Sequence, residues 1–288
     1  MKNFQNKTEL SNFIGTLKAN GNTIGFVPTM GALHNGHLSL VRKGLVDNDI
    51  VVVSVFVNPT QFDNKEDLNT YPRTLEADIA LLKTLSNDQI IIYAPTEDDI
   101  YGNQVESQHF SFEGLEHEME GAFRDGHFDG VGTIVKRLFE IVTPDRAYFG
   151  EKDFQQLQII RKLVELYSLS VEVIGCPIHR AEDGLAMSSR NERLTPVHRN
   201  IAPFIYETLT TAKLKFGTES AKDVTEWVYE QFKKQPLLKL EYFNIADIAT
   251  LKPIKQTASD NFRDNKSYRA FIAVYAGDIR LIDNIALN

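Results

Sequence analysis

Two histidines three positions apart are the side chains of this sequence best placed to do chemistry. His34 and His37 belong to the segment PTMGALHNGH, residues 28–37. This segment begins at the last residue of the short apolar run NTIGFVP, residues 22–28. The pattern predicts a buried strand, a turn containing Gly31 and Gly36, and a helix that begins at the second histidine. Such a helix N-terminus offers free backbone N–H groups to phosphate, and two imidazoles add donors for developing negative charge. The spacing also fits two histidines in a helix cap, or part of a zinc site.

A second strand end, glycine and helix start occurs in FGEKDFQQ, residues 149–156. Lys152 supplies a point charge for phosphates, Asp153 can hydrogen-bond a ribose hydroxyl, and Gln156 is placed to reach a polar substrate from the first helical turn. An ordinary helix with Asp153 near its N-terminus would show the same pattern.

Two hydroxyls followed by an arginine form a third candidate, in GLAMSSRN, residues 184–191. The Arg190 guanidinium can donate two hydrogen bonds to phosphate oxygens, and the hydroxyls of Ser188 and Ser189 can donate further ones. This combination suits a triphosphate. A plain linker followed by a helix N-cap is the alternative interpretation.

Neutral polar groups follow the strand-like run DIVVVSVFV. Asn58 and Gln61, in FVNPTQF, are suited to the hydroxyls or carboxylate of a small substrate. Asp78, in YPRTLEAD, is a candidate for contacting Mg²⁺, with a solvated helix face as the alternative. Arg124 and His127, in FRDGHFDG, lie in a glycine-rich loop ahead of a helix, either mobile or forming a wall of the site.

Alternating strands and helices must position these groups. The fold class that we predict is α/β, a Rossmann-like doubly wound parallel sheet over 1–183, with a smaller C-terminal α+β domain over 184–288. The predicted strands are Asn22–Pro28, Asp49–Val57, Gln89–Tyr93, Arg146–Phe149, Ser170–Cys176, Lys239–Ala246 and Ser267–Val274. The predicted helices are His37–Val46, Leu75–Leu85, Gly132–Ile141, Phe154–Tyr167, Pro196–Leu214 and Ala221–Lys234.

Composition narrows the class of protein. With 288 residues, 42% of them hydrophobic and 24% charged, the chain can bury an ordinary core, which excludes whole-chain disorder. The net charge of −8 argues against nucleic-acid binding. The single Cys176 fits a reducing compartment, and no apolar run is long enough to cross a bilayer. We therefore expect a cytoplasmic protein with neither a membrane nor a nucleic acid as partner.

The order of the motifs carries more information than any one of them. PTMGALHNGH, FVNPTQF, YPRTLEAD, HFDGVGTIVKRLF, AYFGEKDFQQL and DGLAMSSRN, taken together, resemble the pantothenate synthetases (pantoate–β-alanine ligases), which are similar to nucleotidylyltransferases with an HxGH motif. The resemblance implies that ATP and pantoate form pantoyl adenylate and pyrophosphate, with Mg²⁺ on the phosphates. The amine of β-alanine then releases AMP and pantothenate. It also implies a homodimer.

The resemblance further implies roles for individual residues. The catalytic set would be His37 as proton donor with His34, Lys152 and Arg190. The ATP-binding residues would be Met30, Gly31, Ala32, Leu33, His34, Asn35, Gly36, His37, Gly150, Glu151, Lys152, Asp153, His179, Met187, Ser188, Ser189 and Arg190. Gln61 and Gln156, with Asn58, would bind pantoate, and Gln61 would also border the β-alanine pocket.

Three other functions compete with this interpretation. Another adenylyltransferase would transfer AMP to a phosphorylated acceptor and need an additional basic pocket, whereas FVNPTQF offers two amides. An RNA-binding relic of a tRNA synthetase would need a positive field that a net charge of −8 does not supply. A catalytically inactive nucleotide sensor would be expected to lack some of the four residues of the catalytic set, and all four are present.

Overall fold

The computed structural model describes residues 1–63, 65–254 and 266–288. The chain divides into two compact units. The larger one comprises Met1–Glu151 with Gln155–Pro177, and the smaller one comprises Lys152–Phe154 with Ile178–Asn288.

One parallel sheet organises the larger unit, and this confirms the predicted α/β class. Within the described residues its strands are β1 (Lys2–Phe4), β2 (Ile24–Thr29), β3 (Ile50–Val55), β4 (Ile90–Tyr93), β5 (Arg146–Gly150) and β6 (Glu172–Cys176). They lie in the order β1-β4-β3-β2-β5-β6, and every neighbouring pair is parallel.

The helices along this part of the chain are α1 (Lys7–Ala19), α2 (Asn35–Asp47), α3 (Lys65–Thr70), α4 (Leu75–Lys83), α5 (Glu97–Tyr101), α6 (Met119–Phe123), α7 (His127–Val142) and α8 (Phe154–Leu166). Helix α2 follows the predicted apolar spacing, because Leu38 and Val41 are buried in one cluster with Val51 and Val53 of β3. The side chains of β3 are buried because helices cover both faces of a parallel sheet.

The strand order changes direction at β2. From β2 the chain continues to β3 and β4 on one side, and later returns to place β5 on the other side. In open α/β sheets, ligands bind at such a switch point, beyond the carboxyl ends of the strands. Thr29 ends β2 and Gly150 ends β5, so the first two candidate segments begin at this switch point.

The smaller unit is an antiparallel sheet with helices. Among its described residues the strands are β7 (Leu238–Asp247), β8 (Tyr268–Ala276) and β9 (Ile279–Ala286), in that order, and the helices are α9 (Pro196–Ile201), α10 (Phe204–Phe216) and α11 (Ala221–Lys233). Their apolar faces form one core that includes Leu209, Val228 and Ile272. In the described parts of both units, no helix has the length and apolar character needed to span a membrane.

Several predicted elements differ from the observed ones. The single helix predicted over Pro196–Leu214 is two helices, separated near Pro203, whose ring cannot donate a backbone hydrogen bond. Helix α7 begins at His127 rather than Gly132, since Gly126 in a left-handed conformation starts the helix directly after the loop. The strands β1 and β9 and the helices α1, α3, α5 and α6 were not predicted.

Candidate active site

The two histidines of PTMGALHNGH form the N-terminal cap of α2. Nδ1 of His34, the N-cap residue, accepts a hydrogen bond from the Gly36 backbone N–H at 3.1 Å. Nδ1 of His37 accepts one from the His34 backbone N–H at 3.3 Å. Together they make a reciprocal capping box in which imidazoles replace the usual hydroxyl and carboxylate.

This cap determines the tautomer of both rings. A neutral imidazole has one donor and one acceptor nitrogen, and each Nδ1 is used here as the acceptor. The proton of each neutral ring therefore lies on Nε2. The ring centroids of His34 and His37 are 4.1 Å apart, so the two rings lie side by side at the start of α2, each with its proton on Nε2. A role in the helix cap and a role in phosphate binding are thus compatible for this motif.

The turn between β2 and α2 has a left-handed backbone that side chains of β2 and α4 stabilise by hydrogen bonds. Gly31 has φ 84° and Ala32 has φ 49°, a region that disfavours a residue with a Cβ such as Ala32. The Asp78 carboxylate of α4 accepts the backbone N–H groups of Ala32 at 3.1 Å and Leu33 at 2.8 Å. Thr29 Oγ1 accepts the Gly31 N–H at 3.1 Å. These bonds stabilise the strained turn.

Asp78, for which the sequence predicts a contact with Mg²⁺, lies against the turn before α2. Its side chain is buried, with 2% exposure, and both carboxylate oxygens already accept backbone or hydroxyl hydrogens. Mg²⁺ favours octahedral oxygen sites with several retained waters. Across residues 1–63, 65–254 and 266–288, no group of three His, Cys, Asp or Glu side chains could hold a metal ion. In the described structure Asp78 is a hydrogen-bond acceptor for the turn, and its contact with Mg²⁺ stays a prediction.

Gln61 lies in a short 3₁₀ turn, Pro59–Gln61, just beyond the carboxyl end of β3. Its Nε2 donates to Sδ of Met30 at 3.1 Å, so the structure brings the FVNPTQF and PTMGALHNGH segments together. Asn58 belongs to the same group but is only 1% exposed. Its amide nitrogen donates to Oε1 of Gln61 at 3.1 Å. Asn58 therefore holds the side chain of Gln61 by a hydrogen bond, and its direct contact with substrate stays a prediction.

His127 and Arg124 bind the backbone beside Gln61. The Gln61 carbonyl accepts from Nδ1 of His127 at 2.8 Å and from Nη2 of Arg124 at 3.2 Å. Burial and, to a smaller extent, the nearby Arg124 guanidinium together lower the pKa of His127 to about 4, although the hydrogen bond to the Gln61 carbonyl opposes the shift. His127 is thus neutral, with its proton on Nδ1. Sequence reasoning missed this role, because only the tertiary structure places His127 next to Gln61.

Helix α7 approaches this turn closely at Gly130. A Cβ on Gly130 would lie 2.2 Å from the carbonyl oxygen of Thr60, far inside contact distance. Glycine is required here because the helix backbone packs directly on the turn. The FRDGHFDG segment is therefore a support for the turn that carries Gln61.

The two glutamines at the start of α8 are distinguished by burial. Gln155 is buried, donates to the carbonyls of Leu115 and Glu118 and accepts the N–H of Glu120. Gln156 is only partly buried. Gly150 and Glu151 are also partly buried, at the carboxyl end of β5. Gln155 is thus held by hydrogen bonds within the protein, whereas Gln156, which the sequence predicts to bind pantoate, is partly exposed.

In the smaller unit, a buried polar network holds the backbone of Lys152. Nδ2 of Asn284 donates to the Lys152 carbonyl at 2.9 Å. The neighbouring Asp283 is buried and pairs with the Arg180 guanidinium through two hydrogen bonds, at 2.6 and 2.9 Å. Nζ of Lys152 lies 3.7 Å from the Asp153 carboxylate. Strand β9, which was not predicted from sequence, therefore holds the backbone of Lys152, a residue that the sequence predicts to bind ATP.

The DGLAMSSRN segment belongs to a tight antiparallel turn in the same unit. The Met187 N–H donates to the His179 carbonyl at 3.0 Å, and Ala181 N–H to the Leu185 carbonyl at 2.9 Å. Ser188 caps a 3₁₀ turn, Ser189–Arg193, by accepting the Arg190 N–H at 3.3 Å. The turn thus places His179 beside Met187, and Arg190 just after the cap.

With these geometries established, similarity to known proteins identifies the family. A model of the pantoate–β-alanine ligase family matches residues 2–286. The chain belongs to the pantoate–β-alanine ligase family.

Individual relatives of the family match the chain over nearly its full length. It is 58% identical over 288 residues to a pantothenate synthetase of Christiangramia forsetii, covering 100% of both chains. It is 55% identical over 284 residues to a pantothenate synthetase of Flavobacterium psychrophilum, covering 99% of each.

Solved structures give the same result. The crystal structure of pantothenate synthetase from Thermus thermophilus has a TM-score of 0.88 and 39% identity, covering 100% of this chain and 99% of that one. Pantoate-beta-alanine ligase from Francisella tularensis, complexed with beta-gamma ATP and beta-alanine, has a TM-score of 0.80 and 36% identity, covering 100% and 98%. The fold of the chain therefore matches that of solved members of the family.

Proposed function

We propose that this chain condenses pantoate with β-alanine at the expense of ATP, through pantoyl adenylate, to give pantothenate, AMP and pyrophosphate. The observation that carries the proposal is the pair of Nε2–H imidazoles, held by the α2 capping box at the switch point of the sheet. Such donors suit the charge that develops on phosphoryl oxygens. The product is a precursor for coenzyme A biosynthesis.

The first step joins the pantoate carboxylate to the α-phosphorus of ATP. A carboxylate oxygen forms the new P–O bond, and the bond to the β-phosphate oxygen breaks to release pyrophosphate. This displacement needs positioning and charge stabilisation more than a protein nucleophile. His37 and His34 donate hydrogen bonds to the phosphoryl oxygens, while Lys152 and Arg190 supply positive charge.

The second step uses the amine of β-alanine. Its nitrogen attacks the acyl carbon of pantoyl adenylate, the bond to the phosphate oxygen breaks, and AMP leaves with the electron pair. The amine loses a proton to solvent as the amide forms. Positioning of the amine against the acyl carbon is the main requirement for the protein.

The remaining ligand assignments are part of the same proposal. In the larger unit, ATP would contact Met30–His37, Gly150 and Glu151. In the smaller unit, the ATP contacts would be Lys152, Asp153, the backbone at His179, and Met187–Arg190. Gln61 and Gln156 would bind pantoate, with Gln61 also bordering β-alanine.

We propose that Mg²⁺ enters with the substrate, as the counter-ion of the ATP phosphates. Mg²⁺ is commonly held by substrate phosphates with few protein carboxylates, and the bonds of Asp78 to the turn support this assignment. We also propose a cytoplasmic location, with which the single Cys176 agrees, and a homodimeric assembly.

An assay that follows pyrophosphate and AMP separately tests the function. ATP, Mg²⁺ and pantoate are supplied with and without β-alanine, and pantothenate is measured by mass spectrometry. We expect AMP release and pantothenate formation to require β-alanine. ATP binding without pyrophosphate release under any of these conditions would contradict the proposal, and AMP transfer to a phosphorylated acceptor would favour the other adenylyltransferase class.

A further inference from the structure

The buried amide of Asn58 has hydrogen-bond partners at both of its ends. Its Nδ2 donates to the Gly130 carbonyl at 3.2 Å and to Oε1 of Gln61 at 3.1 Å. Its Oδ1 accepts from the Thr60 hydroxyl at 3.2 Å and from the Tyr101 hydroxyl through a short bond. With 1% exposure, the side chain has almost no contact with solvent.

The Gly130 carbonyl decides which end of this amide faces which way. A backbone carbonyl can only accept, so the group facing it must be the Asn58 nitrogen. A flipped amide would place Oδ1 against the carbonyl oxygen and leave two buried acceptors without hydrogen, which is costly. The close packing of α7 at Gly130 therefore fixes the orientation of Asn58.

The hydroxyl of Tyr101 supports the other end of Asn58. Tyr101 is 7% exposed, and burial raises its pKa, so the phenol keeps its proton and donates at neutral pH. The Arg137 guanidinium lies 4.7 Å from the centre of its ring and helps to hold the ring in place. Tyr101 ends α5, forty-three positions from Asn58 in sequence.

The orientation of the Asn58 amide determines that of the Gln61 amide. Because Asn58 offers a hydrogen, the atom of Gln61 that faces it is the oxygen Oε1, and the nitrogen Nε2 is the opposite end. That nitrogen lies 3.1 Å from Sδ of Met30, in the turn before α2. Gln61 thus presents N–H, and not oxygen, toward the PTMGALHNGH turn.

We propose that Asn58 and Tyr101 are positioning residues that fix the Gln61 amide with its nitrogen toward substrate. The site then accepts an oxygen, such as that of a carboxylate or hydroxyl, and disfavours a substrate group that can only donate. The proposal rests on the proposed function for the identity of that substrate, pantoate. It gives Tyr101 a part in specificity although its hydroxyl is turned to Asn58.

A double-mutant cycle tests whether Asn58 acts on substrate binding through Gln61. Asn58→Asp keeps the shape but replaces the donating nitrogen with oxygen, and Gln61→Ala removes the amide. Each single variant should raise the KM for pantoate roughly tenfold and leave the KM for ATP within about twofold. The double variant should be no worse than Gln61→Ala, because Asn58 acts only through Gln61. Additive losses would overturn the proposal.

Tyr101→Phe provides a milder variant, with Tyr93→Phe as its matched control. Tyr93 is also a buried tyrosine of the larger unit, and its hydroxyl donates to Asp99 at 2.7 Å, away from Asn58. We expect Tyr101→Phe to raise the KM for pantoate roughly three- to tenfold, and Tyr93→Phe to leave it unchanged. Equal effects of both variants would mean that the network has no specific role.

A spectroscopic readout separates this proposal from the proposed function. The side-chain amide resonances of Asn58 and Gln61, assigned with ¹⁵N-labelled protein, should both shift in Tyr101→Phe and remain in place in Tyr93→Phe. This comparison needs no turnover. If wild-type protein fails to make pyrophosphate from pantoate while these resonances respond as expected, the function is wrong and the network stands. Unchanged Gln61 resonances would overturn the network.

Discussion

Three histidines of the larger unit are held in defined tautomers by backbone groups. His34 and His37 accept backbone N–H groups at Nδ1, which leaves the proton on Nε2. His127 faces the Gln61 carbonyl with Nδ1, which must then carry the proton. Two rings are thereby prepared as donors at the helix start, and the third as a support for Gln61. Identical residue types acquire different roles because their backbone partners differ.

Replacement of His37 tests its part in the first step. His37→Ala should lower the rate of pyrophosphate release by roughly 10²–10³, as loss of one transition-state donor does. The fold should change little, since α2 keeps the N-cap contributed by His34. Single-turnover measurement of pyrophosphate gives the rate, and circular dichroism checks the fold. A wild-type rate would remove His37 from the mechanism.

A pair of variants at His34 separates capping from chemistry. His34→Asn keeps an acceptor for the Gly36 N–H, because asparagine is a good N-cap, whereas His34→Ala removes it. Both should slow pyrophosphate release by about 10²-fold, since both lose the Nε2–H donor. Only His34→Ala should also lower the free energy of unfolding, by about 1 kcal/mol. If His34→Asn keeps full activity, His34 is a cap and nothing more.

The buried His127 predicts an acid-sensitive contribution to stability. Its pKa is about 4 in the folded protein, against an ordinary value of 6.5. Between these values the unfolded chain binds a proton that the folded one does not, so stability falls as pH drops from 6.5 toward 4. By pH 5 the loss should reach about 1–2 kcal/mol. Above pH 7 this residue should contribute no pH dependence.

Urea unfolding at pH 7, 6 and 5 measures this effect against His127→Asn. Asparagine does not titrate, and its nitrogen can still donate to the Gln61 carbonyl. The stability difference between pH 7 and pH 5 should be smaller in the variant than in the wild type. Parallel curves for the two proteins would show that His127 is not the group responsible.

At the scale of elements, the turn before α2 depends on α4 for its shape. The Asp78 carboxylate bonds to two successive backbone N–H groups of the turn, those of Ala32 and Leu33. An acceptor from another element stabilises a left-handed residue that local sequence alone disfavours. Helix α4 thus stabilises the conformation of the turn, and the start of α2 carries the two histidines.

Replacement of this carboxylate should affect stability and turnover together. Asp78→Asn keeps one acceptor oxygen, so one buried N–H loses its partner at a cost of about 1–3 kcal/mol. Pyrophosphate release should slow, and raising Mg²⁺ should not restore it. Thermal unfolding and a Mg²⁺ titration of activity measure both effects. Unchanged stability with a raised Mg²⁺ requirement would instead identify Asp78 as a metal ligand.

Helix α7 and the turn Pro59–Gln61 form a second pair of elements that act together. Gly130 permits backbone contact, and the loop ahead of the helix supplies Arg124 and His127 to the Gln61 carbonyl. The segment FRDGHFDG therefore carries three adaptations to one neighbour. Its glycines suggested a loop from sequence, whereas one of them serves close packing within a helix.

For the whole molecule, the predicted assembly is a homodimer. Sedimentation equilibrium at the protein concentration of the assay should give a mass twice that of the 32.6 kDa chain. The expectation comes from the resemblance to homodimeric ligases. A species of 32.6 kDa alone, active at that concentration, would show that one chain suffices.

Much of the larger unit could be predicted from local pattern. The continuous β-branched run of β3 and the apolar spacing of α2 each indicate an element without reference to the rest of the chain. β1 and β9 could not be predicted in this way. β1 spans only Lys2–Phe4, and β9 alternates weakly, so both owe their strand structure to the partners that they pair with.

The sequence by itself determined the strand–turn–helix with its two histidines, because the capping box joins residues only three positions apart. It also determined the family, through the order of several long motifs. Only the tertiary structure shows the hydrogen-bond partners of Asp78, Asn58, Tyr101 and His127. Their partners lie dozens of residues away, and burial and hydrogen-bond direction depend on which elements pack together. The sequence shows which polar side chains are present, and the packing of the elements decides which hydrogen-bond partners those side chains have within the protein.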